Sequence, residues 1–491
     1  MNSKPKYLVV MDIPSIKEYI FGTDKLVEIR GASAFLKEIN EDFIYEDFKN
    51  FSKLFTDKVF AGGGAAHFIV EAEKNDLEEA LSTLKAHVLE KSKGGFRLVC
   101  GFAEYLEDKY GESLRKALIS LEQDKDENPF CYNLPIHTGF VRECESCSEE
   151  AVTFKKYHKN DPDMHALCTV CAHKIDYSQD KGKGLWKEFS DFLRDKNINC
   201  ALPTDFEEIG NGCVAKKGYT ALVYADGNDM GNIFQNISKR EQYKIISNTV
   251  EQSIRTACME AIVEICKPVN NVLPAAILLL GGDDLLVYLA ADTAIPFAIS
   301  VAKKFTEESD KWLKKYDKSL LTGQFDNLTI SLGVSFGKSH TPFSIMLNQA
   351  EELLKSAKKS RRNKINNQND KTNQPYIDYH FASNFNQIDV KNSRLNHLTI
   401  EGHYHSQSDR RYLKLYQKPY SLSELEMLWD SAKNLLKSGI PSTKLKQLGY
   451  APTLGKTNGV LEYLHTFTRL NDKQRHEIAE SLRPATPRYV V

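Results

Sequence analysis

The stretch LLLGGDDLLVYL, residues 278–289, decides the fold of the second half of this chain. Two apolar runs flank a Gly-Gly-Asp-Asp turn, a pattern that is typical of a β-hairpin. The adjacent carboxylates of Asp283 and Asp284 repel each other, and burying either one is costly unless a cation compensates its charge. We therefore expect a buried hairpin that holds a cation at its turn.

The elements predicted around this hairpin repeat an arrangement from the first half of the chain. The strand YTALVYAD ends at Asp226 and precedes a helical region over about 231–266, the hairpin, a helix, the strand LTISLGVSFG and a final helix over about 342–360. In the first half, YLVVMDI, which contains Asp12, precedes a helical stretch, the hairpin KVFAGGGAAHFIVEA, a helix and the strand FRLVCGFAEYL. The order β-α-β-β-α-β occurs twice and predicts two ferredoxin-like domains.

The sequence therefore predicts an α+β protein, and its 491 residues are enough for about three domains. The predicted parts are a first ferredoxin-like domain over 1–130, a zinc-binding insert over 131–200, a second ferredoxin-like domain over 201–384 and a mostly helical C-terminal domain over 385–491. The polar stretch NKINNQNDKTNQP is expected to be a loop, and RLNHLTIEGHYH is expected to contain a strand.

Composition excludes several classes of protein. The 65 Lys and Arg residues nearly balance the 66 Asp and Glu residues, so any surface that binds a polyanion must be local. The sequence has no run of about 18 apolar residues, and its first apolar stretch is too broken for a signal peptide, so we expect a cytoplasmic protein with no membrane association. Its ten cysteines are then expected to be thiols or metal ligands rather than disulfides.

The acids of the second ferredoxin-like domain form the candidate catalytic site. The first strand of such a sheet lies next to the hairpin, so Asp226 should converge with Asp283 and Asp284. Mg²⁺ or Mn²⁺ takes hard oxygen ligands of this kind and completes its coordination with substrate. A pair of ions could activate a ribose hydroxyl and stabilise a leaving pyrophosphate.

The residues around these acids are predicted to bind the nucleotide. Amide groups at a tight turn into a helix can hold phosphate oxygens. Lys358 and Arg362 are four residues apart and project from one helix face towards the phosphates. The full predicted set is Gly227, Asn228, Asp229, Met230, Gly231, Gly281, Gly282, Lys358 and Arg362.

Two C-x-x-C pairs predict a structural metal centre. Cys144 and Cys147 form the first pair, and Cys168 and Cys171 form the second. Four thiolates at this spacing are typical of a tetrahedral Zn²⁺ site. We expect the metal to hold together an insert that is too small to have a core of its own.

In these motifs the sequence resembles the large polymerase/cyclase subunit of type III CRISPR effector complexes. The similar segments are VVMDIPSIKEYIFGTDKLVEIRGASAFL, VFAGGGAAHFIV, CESC and CTVC, YADGNDMG, LLLGGDDLLVYL and ISLGVSFGKSHTPFSIMLNQAEELLKSAKK. The resemblance implies two palm domains that face each other and convert ATP into cyclic oligoadenylate second messengers in antiviral defence. By motif it makes Asp226, Asp283 and Asp284 the catalytic, metal-binding acids. The final helix also resembles that of GGDEF-type dinucleotide cyclases, at Ala357-Lys358 and Arg362-Asn363.

The first palm departs from this pattern. It keeps Asp12 but has Gly64 and Ala65 where the second palm has acids, so we expect it to hold a nucleotide without catalysis. The family further implies that residues 30–33 (Arg-Gly-Ala-Ser) line a nucleotide pocket. Many members begin with a nuclease domain that carries a His-Asp pair, and because this sequence has no His-Asp dipeptide, no nuclease activity is expected.

Four functions remain open at the level of sequence. The first is an ATP-using cyclase, and a variant of it is a cyclic dinucleotide synthase that acts alone. The third is a non-enzymatic scaffold subunit that binds target RNA, and the fourth is a template-directed polymerase. The three convergent acids favour an enzyme, with other effector subunits, guide RNA and target RNA as its expected partners.

Overall fold

A computed structural model gives the structure of the chain. It describes residues 4–39, 44, 46, 48–49, 54–127, 141–158, 161–179, 184–237, 239–316, 327–368, 373–381, 389–397, 399–402, 411–414, 417–454 and 456–482. The predicted domain boundaries at 130/131 and 384/385 lie outside these residues, and so does Cys131.

The first palm is a four-stranded antiparallel sheet covered by helices. Its strands are β1 (Lys6–Asp12), β2 (Phe55–Gly62), β3 (Ala65–Glu71) and β4 (Val99–Glu104). Its helices are α1 (Ile16–Phe21), α2 (Leu26–Glu38), α3 (Lys74–Lys91) and α4 (Tyr110–Glu127). The strand order β2-β3-β1-β4 is that of a ferredoxin-like sheet. The central strand β1 is apolar from Leu8 to Met11 because both of its faces are covered.

The cysteine-bearing insert consists of β5 (Thr153–Lys155), β6 (His165–Leu167), α5 (Thr169–Gln179) and α6 (Gly184–Asp195). Helix α5 crosses α2 so closely that a Cβ atom on Gly31 would lie 1.6 Å from the carbonyl oxygen of Lys174. Only glycine fits at this crossing. Helix α6 buries Leu185, Phe189 and Leu193, which share one helix face at a spacing of four residues.

The second palm repeats the fold of the first. Its elements are α7 (Phe206–Asn211), β7 (Tyr219–Gly227), α8 (Met230–Gln235), α9 (Arg240–Ile265), β8 (Ala275–Gly281), β9 (Asp284–Ala290), α10 (Ala294–Tyr316), β10 (Ile330–Lys338), α11 (Phe343–Gln368) and β11 (Tyr376–Phe381). Strands β10-β7-β9-β8 take the same order as the first sheet. The predicted hairpin is confirmed as β8 and β9.

Two predicted helices of the second palm differ from the structure. The region predicted as one helix over 231–266 is divided into α8 and α9. The final helix, predicted to end near residue 360, continues to Gln368, so the first part of the predicted polar loop is helical. Burial of Arg361 with its partners stabilises this extension.

The C-terminal region is mostly helical, as predicted. Its elements are α12 (Val390–His397), β12 (Thr399–Gly402), β13 (Arg411–Lys414), β14 (Tyr420–Ser421), α13 (Leu422–Lys437), α14 (Ser442–Tyr450), α15 (Lys456–Thr468) and α16 (Asp472–Leu482). The segment RLNHLTIEGHYH contains the end of α12 and strand β12, and residues 403–405 lie outside the described residues. Strand β14 pairs with β11, so this region adds a strand to the second palm sheet.

The two palms pack directly against each other. One hydrophobic cluster contains Leu8 and Val10 of the first sheet together with Val223 and Leu285 of the second. The two hairpin turns also meet, since a Cβ atom placed on Gly281 would lie 3.6 Å from the Cα atom of Gly63. None of the described helices combines the length and the apolar character needed to cross a membrane.

Candidate functional site

Strand pairing brings the three predicted acids together. Strands β7 and β9 are antiparallel neighbours, and their last registered pair is Ala225 with Leu285. The next positions along these strands are Asp226 and Asp284. The charges of Asp226 and Asp284 both act on Asp283, so the three carboxyl groups are neighbours. The predicted convergence of the three acids is therefore present in the structure.

The positive charge around the acid cluster does not balance the negative charge of its three carboxylates. Burial, followed by the charges of Asp226 and Asp284, raises the pKa of Asp283 far above its usual range. Burial and the charge of Asp226 raise the pKa of Asp284 to about 6, while Lys17 and Lys358 oppose this rise. A divalent cation would relieve the repulsion, so the donor set fits Mg²⁺ or Mn²⁺ chemically.

The acids do not enclose an ion by themselves. Among the described residues, the cysteine cluster is the only set of three or more potential ligands whose atoms all lie within 4.8 Å of one another. Asp226, Asp283 and Asp284 therefore form an open arrangement. Such a site suits an ion that takes its remaining ligands from a substrate.

Two cations from different domains border the acid cluster. Lys358 of α11 places its Nζ 2.6 Å from Asp226 Oδ2 and donates a hydrogen bond to the carbonyl oxygen of Gly227 at 2.9 Å. Lys17 of α1, in the first palm, lies 4.7 Å from the ring centre of Tyr224. The Tyr224 hydroxyl in turn donates to Asp284 Oδ1 at 3.2 Å. The sequence identified Lys358, whereas Lys17 and Tyr224 lie in two of the segments that resemble the family but are not singled out by any feature of those segments.

The turn between β7 and α8 contacts the acids directly. A Cβ atom on Gly227 would lie 2.8 Å from Asp283 Oδ2 and 2.6 Å from the side chain of Met230. A larger residue here would displace the side chains of Asp283 and Met230, because the Asp283 carboxylate lies against the backbone. At Gly231 a Cβ atom would meet open space, so that position imposes no such requirement.

Some predicted nucleotide-binding side chains have structural partners. Asn228 is buried, its Nδ2 donates to Thr329 Oγ1 at 2.9 Å, and its Oδ1 accepts from Ser331 Oγ at 2.8 Å. Its side-chain amide is therefore used within the protein, and the predicted part of Asn228 in nucleotide binding stays a prediction. Arg362 is largely exposed, whereas its neighbour Arg361 is buried and pairs with Asp229.

The first palm retains part of the same site. Lys125 of α4 lies 3.0 Å from Asp12 as the counterpart of the Lys358–Asp226 pair. Three residues after the strand-end acid, Ser15 and Asp229 both adopt left-handed backbone with φ near 60°. The strand registers show which residues of the two hairpins correspond. Gly62 pairs with Ala65 in the first hairpin, and Gly281 pairs with Asp284 in the second. Gly64 and Ala65 therefore occupy the positions of Asp283 and Asp284.

The four predicted zinc ligands come together in the insert. The Sγ atoms of Cys144, Cys147, Cys168 and Cys171 all lie within 4.8 Å of one another, and Cys147 and Cys168 are 3.6 Å apart. Four thiolates bound tetrahedrally at about 2.3 Å from Zn²⁺ stand about 3.8 Å from each other. The cluster therefore fits a structural zinc ion. The insert's hydrophobic cluster is built around these cysteines and has few other members.

Residues 30–33 pack between domains. The Arg30 guanidinium stacks on Trp186 at 3.6 Å and donates to the carbonyl oxygen of Pro203. Gly31 contacts the backbone of α5. These contacts give Arg30 and Gly31 a role in docking the insert, and the lining of a nucleotide pocket by residues 30–33 stays a prediction.

Comparisons with known proteins agree with this architecture. Residues 219–366 match the family model for the second palm domain of Cas10/Cmr2. A Csm1–Csm4 cassette in complex with AMPPNP is 16% identical and has a TM-score of 0.50, with 73% of this chain and 54% of that chain covered. A Csm1–Csm4 cassette in complex with cA4 is 14% identical and has a TM-score of 0.56, with 99% and 70% covered.

Csm1 from T. onnurineus is also 14% identical with a TM-score of 0.56, and 95% of this chain and 64% of that chain are covered. The chain spans about half the length of the first of these three structures. No curated protein matches the sequence. The chain thus has a Csm1-like fold with a Cas10/Cmr2-type second palm, which confirms the resemblance found in the motifs.

Proposed function

From a Csm1-like fold with a Cas10/Cmr2-type second palm, we propose that this chain is a nucleotidyltransferase of type III CRISPR defence that converts ATP into cyclic oligoadenylates. The observation that carries the proposal is the convergence of Asp226 with Asp283 and Asp284 at the turn that faces the first palm. A protein that only binds RNA would have no use for this repulsive cluster.

The acids would act as ligands of Mg²⁺ or Mn²⁺. When bound, the cation would favour ionisation of a ribose 3′-hydroxyl and neutralise charge on the α-phosphate and on pyrophosphate. Asp226 would help to take the hydroxyl proton. The new bond is a 3′–5′ phosphodiester and pyrophosphate leaves.

The surrounding residues would hold two nucleotides between the palms. Gly227 leaves room beside Asp283, and Lys358 and the exposed Arg362 offer charge to phosphates. The first palm, with Asp12 and Lys125 but without the acid pair, would hold a nucleotide without catalysis. Complexes of Csm1–Csm4 cassettes with AMPPNP and with cA4 support ATP as substrate and a cyclic product.

The same neighbours support a partner subunit. They are described as Csm1–Csm4 cassettes, and a further similar structure is a Csm1–Csm4 subcomplex in the type III-A CRISPR-Csm interference complex. We expect this chain to work beside a subunit of the Csm4 kind in the cytoplasm, with guide RNA and with target RNA as activator.

The test is to incubate the zinc-loaded protein with Mg²⁺ and labelled ATP and to identify products by mass spectrometry. The control is the double variant Asp283→Asn/Asp284→Asn, checked for an unchanged melting temperature at acidic pH. Cyclic adenylates that are absent with the variant would establish the activity. If products appear only after a Csm4-type partner and target RNA are added, the enzyme depends on its complex. A cyclic dinucleotide or a linear templated product would replace the proposed reaction, and no product under any condition would favour the scaffold function.

A further inference from the structure

Arg361, in the second half of α11, is a buried cation close to the acid cluster. Only 2% of its side chain is exposed, and a guanidinium removed from water needs partners for its donors. Its Nη1 donates to Asp229 Oδ2 at 2.7 Å, and its Nε donates to Asn373 Oδ1 at 3.0 Å. The guanidinium therefore joins the turn between β7 and α8 to the segment that precedes β11.

Asp229 is held in a backbone conformation that its residue type rarely adopts. Its φ is 56°, in the left-handed region, where a non-glycine residue is strained unless its surroundings hold it there. It also stands at the N-cap of α8, where an Asp side chain ordinarily accepts a hydrogen bond from the first turn of the helix. The Asp229 side chain makes no such bond. Its carboxylate is turned towards Arg361.

A second set of hydrogen bonds, from Asn228 to Thr329, also holds the turn between β7 and α8. The backbone N–H of Asn228 donates to the carbonyl oxygen of Thr329 at 2.9 Å, and the Asn228 side chain donates to Thr329 Oγ1. Thr329 Oγ1 donates in turn to Asn373 Oδ1 at 3.0 Å. Asn373 therefore accepts hydrogen bonds both from Arg361 and from Thr329, the partner of Asn228. Arg361 and Asn228 thus hold the turn through one buried network.

The conformation of this turn determines where the acids stand. Gly227 directly follows Asp226, and its backbone lies so close to Asp283 that a Cβ atom there would stand 2.8 Å from Asp283 Oδ2 and displace that side chain. A shift of the turn by a few tenths of an ångström would move Asp226 and press on Asp283. Groups that orient ligands in this way commonly change metal affinity or activity by about 10–100-fold when they are removed.

We propose that Arg361 is a positioning residue that acts through Asp229 and Asn373. It keeps turn 227–230 in place and so sets Asp226 and Asp283 at the spacing that a divalent cation requires. This inference rests on the function proposed above. Arg361 touches no nucleotide in this role, whereas its neighbour Arg362, with 63% of its side chain exposed, is available to phosphates.

The experiment compares Arg361→Gln and Asp229→Asn, which break the same ion pair from opposite sides, with Arg361→Lys. Two quantities are measured for each: Mn²⁺ affinity without nucleotide, by electron paramagnetic resonance, and kcat and KM for ATP. We expect both pair-breaking variants to lose about 10–100-fold in Mn²⁺ affinity and in kcat, with little change in KM. Combining them should cost no more than either alone, and Arg361→Lys should recover part of the loss.

Two neighbours on the same helix serve as controls. Lys359→Gln removes an exposed charge from α11 and should leave both quantities unchanged. Arg362→Gln removes only an exposed contact of 3.8 Å with Asp229 Oδ1, so it should raise KM and change Mn²⁺ affinity far less than Arg361→Gln does. Should Arg361→Gln fail to fold, the near-isosteric Asp229→Asn carries the test. Wild-type Mn²⁺ affinity in folded Asp229→Asn, or losses that multiply in the combined variant, would overturn the proposal. A wild-type protein that binds Mn²⁺ but forms no product would refute only the proposed function, because the affinity comparison still decides the role of Arg361.

Discussion

At Asp226 a single carboxylate is positioned for two kinds of cation. In the structure it pairs with the ammonium group of Lys358 at 2.6 Å, and in the proposed reaction it would be a ligand of Mg²⁺. The two cations cannot both make their shortest contact with the same oxygen atom. Binding of nucleotide phosphates would draw Lys358 away and so favour the metal, which couples the two ligands.

This competition predicts the behaviour of Lys358→Met, which removes the charge and keeps the length of the side chain. Nucleotide-free Mn²⁺ affinity should rise by about tenfold, since an opposite charge at this distance shifts the equilibrium of a carboxylate by about that factor or more. The KM for ATP should rise as well. Lys125→Met is the matched control: it removes the corresponding pair with Asp12, and Mn²⁺ affinity should not change there. A lower Mn²⁺ affinity in Lys358→Met would show that the lysine supports the metal site instead.

The acid pair also predicts how stability depends on pH. The pKa of Asp284 is raised to about 6 and that of Asp283 to about 8, against about 4 in an unfolded chain. Groups with raised folded-state pKa values stabilise the fold fully below the unfolded value, and this stabilisation is lost as the pH rises through the folded values.

The melting temperature of Mg²⁺-free, zinc-loaded protein should therefore fall by a few degrees more between about pH 5 and pH 9 than that of Asp283→Asn/Asp284→Asn. Added Mg²⁺ should stabilise the wild-type protein most at the alkaline end. The measurement is differential scanning fluorimetry. Equal dependence of the melting temperature on pH in the wild type and the variant would show that the pKa values of these acids are not raised in the folded protein.

At the residue level, the sequence predicted the acids that stand next to strand ends. It did not reveal the basic residue whose role depends on burial. Asp226, Asp283 and Asp284 follow apolar runs, so their convergence could be derived from the order of elements. Arg361 is one of several basic residues in a row, and the sequence alone favours Arg362 as the residue that binds phosphates. What distinguishes it is contact with Asn373, twelve positions further on and after the end of α11, which helical periodicity does not reveal.

At the scale of single elements, the part of the insert around the four cysteines depends on metal more than on packing. Its hydrophobic cluster is small, and its helix α5 is attached to α2 through the tight crossing at Gly31. Loss of the metal should loosen the insert without unfolding either palm sheet, because both sheets have extensive cores of their own.

Cys168→Ser should lower the bound zinc from one equivalent per chain and speed hydrogen exchange across 141–179, since three thiolates hold a structural zinc ion poorly. Strands β7 to β10 should keep their protection. Cys200→Ser, which changes a partly buried cysteine outside the cluster, should retain zinc and serves as the control. Unchanged zinc content in Cys168→Ser, measured by atomic absorption, would contradict the predicted ligand set.

Element boundaries were predictable only where local signals set them. Both hairpins appeared where Gly-rich turns separate apolar runs, and the registers confirm them. The division between α8 and α9 and the extension of α11 were not predicted. The extension of α11 is rich in polar residues and contains Arg361, whose burial against Asp229 is a tertiary contact that local propensity does not reveal.

At the scale of the whole molecule, the two palms are joined by specific polar contacts as well as by a shared core. Asp24 of the first palm accepts a hydrogen bond from the backbone N–H of Phe343 at 2.7 Å, at the start of α11. Lys17 of the first palm pairs with Glu351 on the same helix at 3.3 Å. The helix that carries Lys358 is therefore capped by the opposite domain.

Asp24→Ala should destabilise the protein by about 1 kcal/mol, because it removes both a cap and a favourable charge at a helix N-terminus. Chemical denaturation measures the change. Asp76→Ala, which breaks an exposed pair with Lys4 at 3.9 Å, should change stability by less than about 0.5 kcal/mol. Equal effects of the two substitutions would mean that the contact across the palms is not stabilising.

The duplicated order of elements was predicted from the sequence, but the way the two copies meet was not. Strand order follows from local patterns and chain connectivity. The docking of Gly63 on Gly281, and of Asp24 on α11, depends on surfaces that are far apart in the sequence.

The main-chain conformation of the first hairpin turn disfavours an acid at the position that corresponds to Asp283. Gly64 has φ +89°, and a Cβ atom there would lie 2.0 Å from Ile16 Cδ1. A carboxylate introduced at this position would meet both backbone strain and a steric clash. In the proposed reaction, nucleotides held between the palms would therefore meet an acid pair on the side of the second palm only, and the main-chain conformation at Gly64 maintains this asymmetry.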